Sequence, residues 1–100
     1  MANGIVVIPS NDYNIVSAGK LLEDLDDHET IRNYYSINRV VIFRFKTLTL
    51  NQPVSGTWGF LIVYYGGTND TWQEWYFNKD GIVRMRNYIN GIFSAWNTIH

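Results

Sequence analysis

The spacing of apolar and polar positions changes along the chain. Ile5 to Ile8 is a short apolar run stopped by Pro9-Ser10-Asn11-Asp12, which predicts a short strand and a turn. Leu21, Leu22 and Leu25 fit one turn of a helical face. The acids at 23, 24, 26, 27 and 29 then dominate, so residues 20–31 predict no more than a short helix or a turn.

From Tyr34 the pattern changes to that of a strand. Val40 to Leu50 is rich in β-branched and aromatic residues, with Phe43 and Phe45 on one side and Arg44 and Lys46 on the other. That alternation predicts a strand with one buried and one wetted face. Asn51-Gln52-Pro53 ends it, and Ser55-Gly56 adds a turn signal. Trp58 to Tyr65 is continuously apolar, the pattern of a central strand covered on both faces. After the loop Gly66 to Asp70, Thr71 to Phe77 is the next strand. Two turn signals follow, Asp80-Gly81 and Asn90-Gly91, flanking the alternating run Ile82 to Tyr88. Ile92 to Ile99 closes the chain as a last strand.

These elements predict an all-β fold, mainly an antiparallel meander or sandwich of about five strands after a short helical or irregular N-terminal segment. No linker, repeat or low-complexity stretch divides it. Residues 1–100 are read as one domain, with 1–19 as a lead-in. Because His100 follows directly on the last predicted strand, a domain of a longer chain is expected.

Composition narrows the function classes. With 46% apolar residues and a net charge of −1, the chain can build one modest core and lacks the makeup of a disordered segment. Lys and Arg total 8 against 9 for Asp and Glu, so phosphate-backbone affinity is not expected and nucleic acid is set aside as a partner. No apolar run approaches the ~20 residues of a membrane-spanning helix, and no signal-peptide pattern opens the chain. Cysteine is absent, which removes disulfide and thiolate chemistry.

Candidate chemistry rests on the aromatics, which make up 16% of the chain, with Trp58, Trp72, Trp75, Trp96, Tyr64, Tyr65, Tyr76 and Tyr88 as candidate sugar platforms or, alternatively, core and interface. Trp72, Glu74 and Tyr76 share one strand face, and Trp75 points to the other. Arg84, Arg86 and Tyr88 share a face of the next strand, expected to be the outer one. Depending on register, Glu74 reaches Arg84 or Arg86 across the turn, in a pair worth about 0.2–1 kcal/mol. Exposed, these six residues would form a glycan-binding surface, with flat rings for apolar contact and Arg forks for anionic groups. Buried, the same residues would be core or a subunit interface.

The acidic run holding His28 lacks the loop spacing of an EF-hand and is read as a solvated turn, so neither metal nor cofactor is expected. His100 is the only other histidine, which gives little to build a zinc site or a nucleophilic triad. Asp70 and Asp80 sit in turn sequences, leaving no carboxylate pair across a cleft. Enzymatic activity is not expected.

The order of residues over 70–99 carries a resemblance. The Asp80-Gly81 turn, the Arg-bearing strand Ile82 to Tyr88, the Asn90-Gly91 turn and Phe93-Ser94-Ala95-Trp96 resemble the closing hairpin of knob domains in bacteriophage tail fibres and R-type pyocin fibres. Leu25-Asp26-Asp27, Tyr34-Tyr35, Pro53 and Trp58 to Val63 are similar to the opening half of those domains, so the resemblance spans roughly residues 20–99. It departs where Phe93 replaces the usual Trp, and where Ile31-Arg32-Asn33 stands in place of a Gly. The resemblance implies a receptor-binding appendage of the virion. It would be a homotrimer that attaches to the bacterial surface, with surface polysaccharide or wall glycan as partner and no membrane insertion. A monomeric carbohydrate-binding module and a purely structural trimeric fibre segment are the alternatives. Oligomerisation also has support from physics, since short strands leave edges and rings to cover.

Overall fold

The computed structural model describes residues 14–35 and 39–99. Strands β1 (Asn14–Asp24), β2 (Arg39–Leu50), β3 (Gly59–Tyr65), β4 (Thr71–Asn78), β5 (Val83–Ile89), β6 (Ile92–Phe93) and β7 (Asn97–Thr98) form a single sheet, with one short helix, α1 (His28–Asn33). The sheet order is β1-β2-β3-β4-β5-β6, and β7 also pairs with β5. The all-β expectation therefore holds, and the meander from β2 onward is antiparallel as expected.

The N-terminal third differs from its sequence reading. Lys20 to Asp24 is not helical but the end of β1, which lies parallel to β2, so the sheet is mixed. A local helical pattern of three leucines yields here to pairing with a strand distant in sequence. Leu22 sits opposite Phe45 in the core, and Leu25 follows it into the same core. The register shifts between Ser17 and Leu21, around Gly19 at φ 66°. The helix begins later, at His28. Asp27 caps it, accepting from the Thr30 backbone N–H at 3.1 Å and from the Thr30 hydroxyl at 2.6 Å. The strand expected at Ile5 to Ile8 lies outside the described residues.

The two hairpin signals act as expected. Gly81 has φ 78°, and the Asn78 side-chain oxygen accepts from the Asp80 and Ile82 N–H groups across that turn. Asn90 and Gly91 have φ 50° and 86°, both left-handed, as a two-residue turn matched to the strand twist requires. The last strand is not continuous. Ser94 to Trp96 leaves the sheet between β6 and β7, and both short pieces pair with β5.

One face of the sheet carries the core: Val41, Phe43, Phe45, Leu61, Val63, Tyr65, Trp72, Tyr76 and Tyr88, closed by Leu25, Ile31, Phe93 and Trp96. No element among the described residues covers the other face. β3 alternates strictly, with Leu61, Val63 and Tyr65 buried and Phe60 and Tyr64 exposed. Among the described residues β3 is covered on one face, not on the two that its apolar run predicts.

Candidate functional site

The expected site residues come together, but inside the protein. β4 puts Trp72, Glu74 and Tyr76 on one face, and β5 puts Arg84, Arg86 and Tyr88 opposite them, with Glu74 paired to Arg86, Trp72 to Tyr88 and Tyr76 to Arg84. That face is the inner one. Trp72, Tyr76 and Tyr88 belong to the core, Glu74 is 0% exposed and Arg86 4%. Only Arg84 is half-buried, with its guanidinium donating to the Val83 carbonyl. The glycan surface expected at these six positions is therefore corrected: five of them form a polar, aromatic core, and Arg84 lies at its margin. The outer-face reading of Arg84, Arg86 and Tyr88 is corrected with it.

Arg86 is the hub. Its Nε donates to Glu74 Oε1 at 2.8 Å, its Nη1 to Asp26 Oδ1 at 2.7 Å and its Nη2 to the Leu25 carbonyl at 2.7 Å. The guanidinium carbon lies 3.7 Å from the Phe93 ring centroid and 4.3 Å from that of Trp96. The guanidinium thus meets two carboxylates, a carbonyl and two π-faces, which is how a charge is tolerated away from water. The second oxygen of Glu74 accepts from the Trp72 indole N–H at 2.7 Å. Burial pushes the Glu74 carboxyl above its ordinary value, while the Arg86 charge and the Trp72 hydrogen bond pull it back down.

Aromatic contacts extend this hub in both directions. Trp72 stacks on Tyr88 with centroids 4.0 Å apart, Phe93 meets Tyr88 edge-on at 4.7 Å, and Trp96 meets Tyr76 at 5.9 Å. The Tyr76 hydroxyl lies within hydrogen-bond distance of Gln52 Oε1, the Val54 carbonyl and the Thr57 hydroxyl, which ties the loop after β2 over the core. Tyr65 donates to the Ile31 carbonyl, and its phenol is raised above the usual range first by burial and then by the charge of Glu74. It stays protonated and holds α1 on the sheet. Arg32 of α1 adds a bond to the Tyr88 hydroxyl at 3.0 Å and an ion pair to Asp70 at 3.1 Å.

Three acids of the run are taken up by structure. Asp24 accepts from the Asp26 N–H and the Asn51 side chain, Asp26 pairs with Arg86, and Asp27 caps α1. The Thr30 hydrogen bond holds Asp27 below its ordinary value. Among the described residues no group of His, Asp and Glu side chains could hold a metal ion.

Exposed chemistry lies elsewhere. A depression of about 420 Å³ is lined by Leu21, Arg44, Lys46, Thr47, Trp58 and Phe60. Trp58 is 52% exposed there, and Arg44 and Lys46 are also exposed. An aromatic ring beside two cations and a hydroxyl is chemistry suited to a sugar bearing a negative group. Sequence reasoning missed this site because it treated Arg44 and Lys46 only as the wetted side of a strand. Trp58 itself is among the candidate rings read from the sequence, but nothing local joins it to the two cations. Comparison with family models, with curated proteins and with solved structures finds no match.

Proposed function

We propose that this chain is a domain of a phage or phage-like tail fibre, trimeric in the particle, acting in attachment to the bacterial surface. The observation that carries the reading is the Arg86 clamp. The residues behind the fibre-knob resemblance are scattered over two turns and two strands, yet Phe93 and Trp96 cover the Arg86 guanidinium, which also donates to Glu74. Such an ordered set has a physical reason to occur together: a buried Arg needs two flat covers and a carboxylate. Phe93 serves as a cover as the usual Trp would, so that departure from the pattern leaves the clamp intact.

With Trp72, Glu74, Tyr76, Arg86 and Tyr88 committed to the core, host contact falls to the exposed depression at Trp58, Arg44 and Lys46. The ligand is a bacterial surface polysaccharide with acidic or phosphate substituents. Its pyranose faces lie on Trp58, and its anionic groups meet the two cations. Isothermal titration with isolated bacterial surface polysaccharides tests this. Saturable binding that weakens at least tenfold in Trp58→Ala and falls with added salt is expected. Binding that ignores Trp58, or no binding by any acidic polysaccharide, overturns it.

A further inference from the structure

The sheet face opposite the core is apolar and carries no element of the described chain. The registers align it in rows. Ile42, Ile62, Trp75 and Met85 lie side by side across β2 to β5, and Phe60 and Phe77 stand next to each other in the row below. A shallow hollow of about 340 Å³ is lined wholly by Ile42, Phe60, Ile62 and Phe77. All the packing elements, α1, the loop after β2 and the segment at Phe93 to Trp96, are on the other side.

The indole at the centre of this face is already paired. The Trp75 indole N–H donates to Gln73 Oε1 at 2.7 Å, and Gln73 reaches on to Asn87 Oδ1 at 3.4 Å. Covering Trp75 therefore strands no indole donor, and burying an unpaired donor is what normally opposes putting a tryptophan in a dry contact. A face left to water has no need of that arrangement.

We propose that this face is where copies of the chain meet, each placing its Ile62–Trp75–Phe77 surface against its neighbours'. The proposal rests on the fibre reading for the number three and on the face itself for the location. Size identifies the occupant. Four strands at ~4.8 Å spacing and two rows ~7 Å apart give a patch of roughly 300 Å². That matches the apolar centre of an interface needing about 800 Å² per partner, with Gln73 and Asn87 as its polar rim. The apolar run of the chain's own lead-in, Ile5 to Ile8, is a few residues long and as a strand ~5 Å wide would cover about a quarter of it. An identical face has the matching breadth and the matching sheet twist, and cyclic symmetry lets every copy bury it.

Sedimentation equilibrium on the full chain, Ile62→Lys and a chain lacking residues 1–13 tests this, with amide NMR spectra to show that each is folded. The mass of several chains is expected for the full chain and for the truncated one. A single folded chain is expected for Ile62→Lys, since Ile62 points away from the core. A single chain for the unaltered protein, or an assembly that survives Ile62→Lys, overturns the proposal. So does a single-chain protein whose apolar face binds hydrophobic dye only after residues 1–13 are removed, because the lead-in is then the cover. Polysaccharide binding read on the same samples separates the two ideas. Assembly through this face without sugar binding sinks the attachment reading alone, and sugar binding by an unassembled full-length chain sinks only the interface.

Discussion

Arg86 and Glu74 face each other across β4 and β5 with Nε and Oε1 2.8 Å apart, and neither side chain is more than 5% exposed. The pair sits beneath the rings of Phe93 and Trp96 and fixes the register of the strands that hold the core. Removing one partner leaves the other as an uncompensated buried charge. Arg86→Met is expected to lower stability by about 3–5 kcal/mol in urea denaturation. Combining Arg86→Met with Glu74→Leu is expected to recover part of that loss, a coupling that the double-mutant cycle measures. Additive losses would contradict the pairing.

The clamp also depends on its covers. Trp96→Ala removes one π-face from the Arg86 guanidinium and the edge contact to Tyr76. A loss of about 3 kcal/mol is expected, at the lower end for a truncated aromatic because Trp96 is only partly buried. Phe93→Trp, which enlarges the other cover, is expected to change the denaturation midpoint by less than Phe93→Ala does.

Asp27 gives a pH signature. Its carboxylate accepts two hydrogen bonds from Thr30, and its folded-state value is lowered from 3.8. A depressed acid contributes stability that is present above 3.8 and disappears as pH falls through the lower, folded value. Asp27→Ala is expected to lower stability by about 1 kcal/mol at neutral pH. The gap between the two proteins is expected to close as pH drops below 3.8. Denaturation curves of both across acidic pH check this, and a gap that persists would assign the loss to something other than the charged cap.

Gly59 is fixed by close approach. A Cβ there would run into the Phe77 carbonyl and the Asn78 Cα on the neighbouring strand. Backbone cannot yield as a flexible side chain does, so Gly59→Ala is expected to destabilise by about 3 kcal/mol. Hydrogen exchange in β3 and β4 should accelerate with it. Gly67→Ala, where a Cβ meets nothing within 4 Å, serves as the control.

Much of the sheet was legible locally. Phe43 and Phe45 against Arg44 and Lys46 set the faces of β2, and Asp80-Gly81 and Asn90-Gly91 placed two turns. Period two also put Trp72, Glu74 and Tyr76 together, but it does not say which face is inside. Glu74 and Arg86 look like surface residues until each is seen to neutralise the other. The hint available in the sequence was the second set, Trp75 and Phe77 with Val83 and Met85, which makes both faces apolar. β1 was hidden for a different reason. Its parallel partner is set by a connection through α1, a relation that no local pattern encodes. Asp26, Phe93 and Trp96 were likewise missed as partners of Arg86, because Asp26 lies 60 residues away along the chain and the rings fold back from a break in the last strand.

The attachment reading is tested most directly by adsorption of the fluorescently labelled chain to a panel of bacterial cells, before and after mild periodate oxidation of their surface sugars. Saturable adsorption to some strains, abolished by periodate and weakened by Trp58→Ala, is the predicted result. Adsorption to no strain, or adsorption that survives both periodate and Trp58→Ala, would contradict a fibre domain that holds its host through surface glycan.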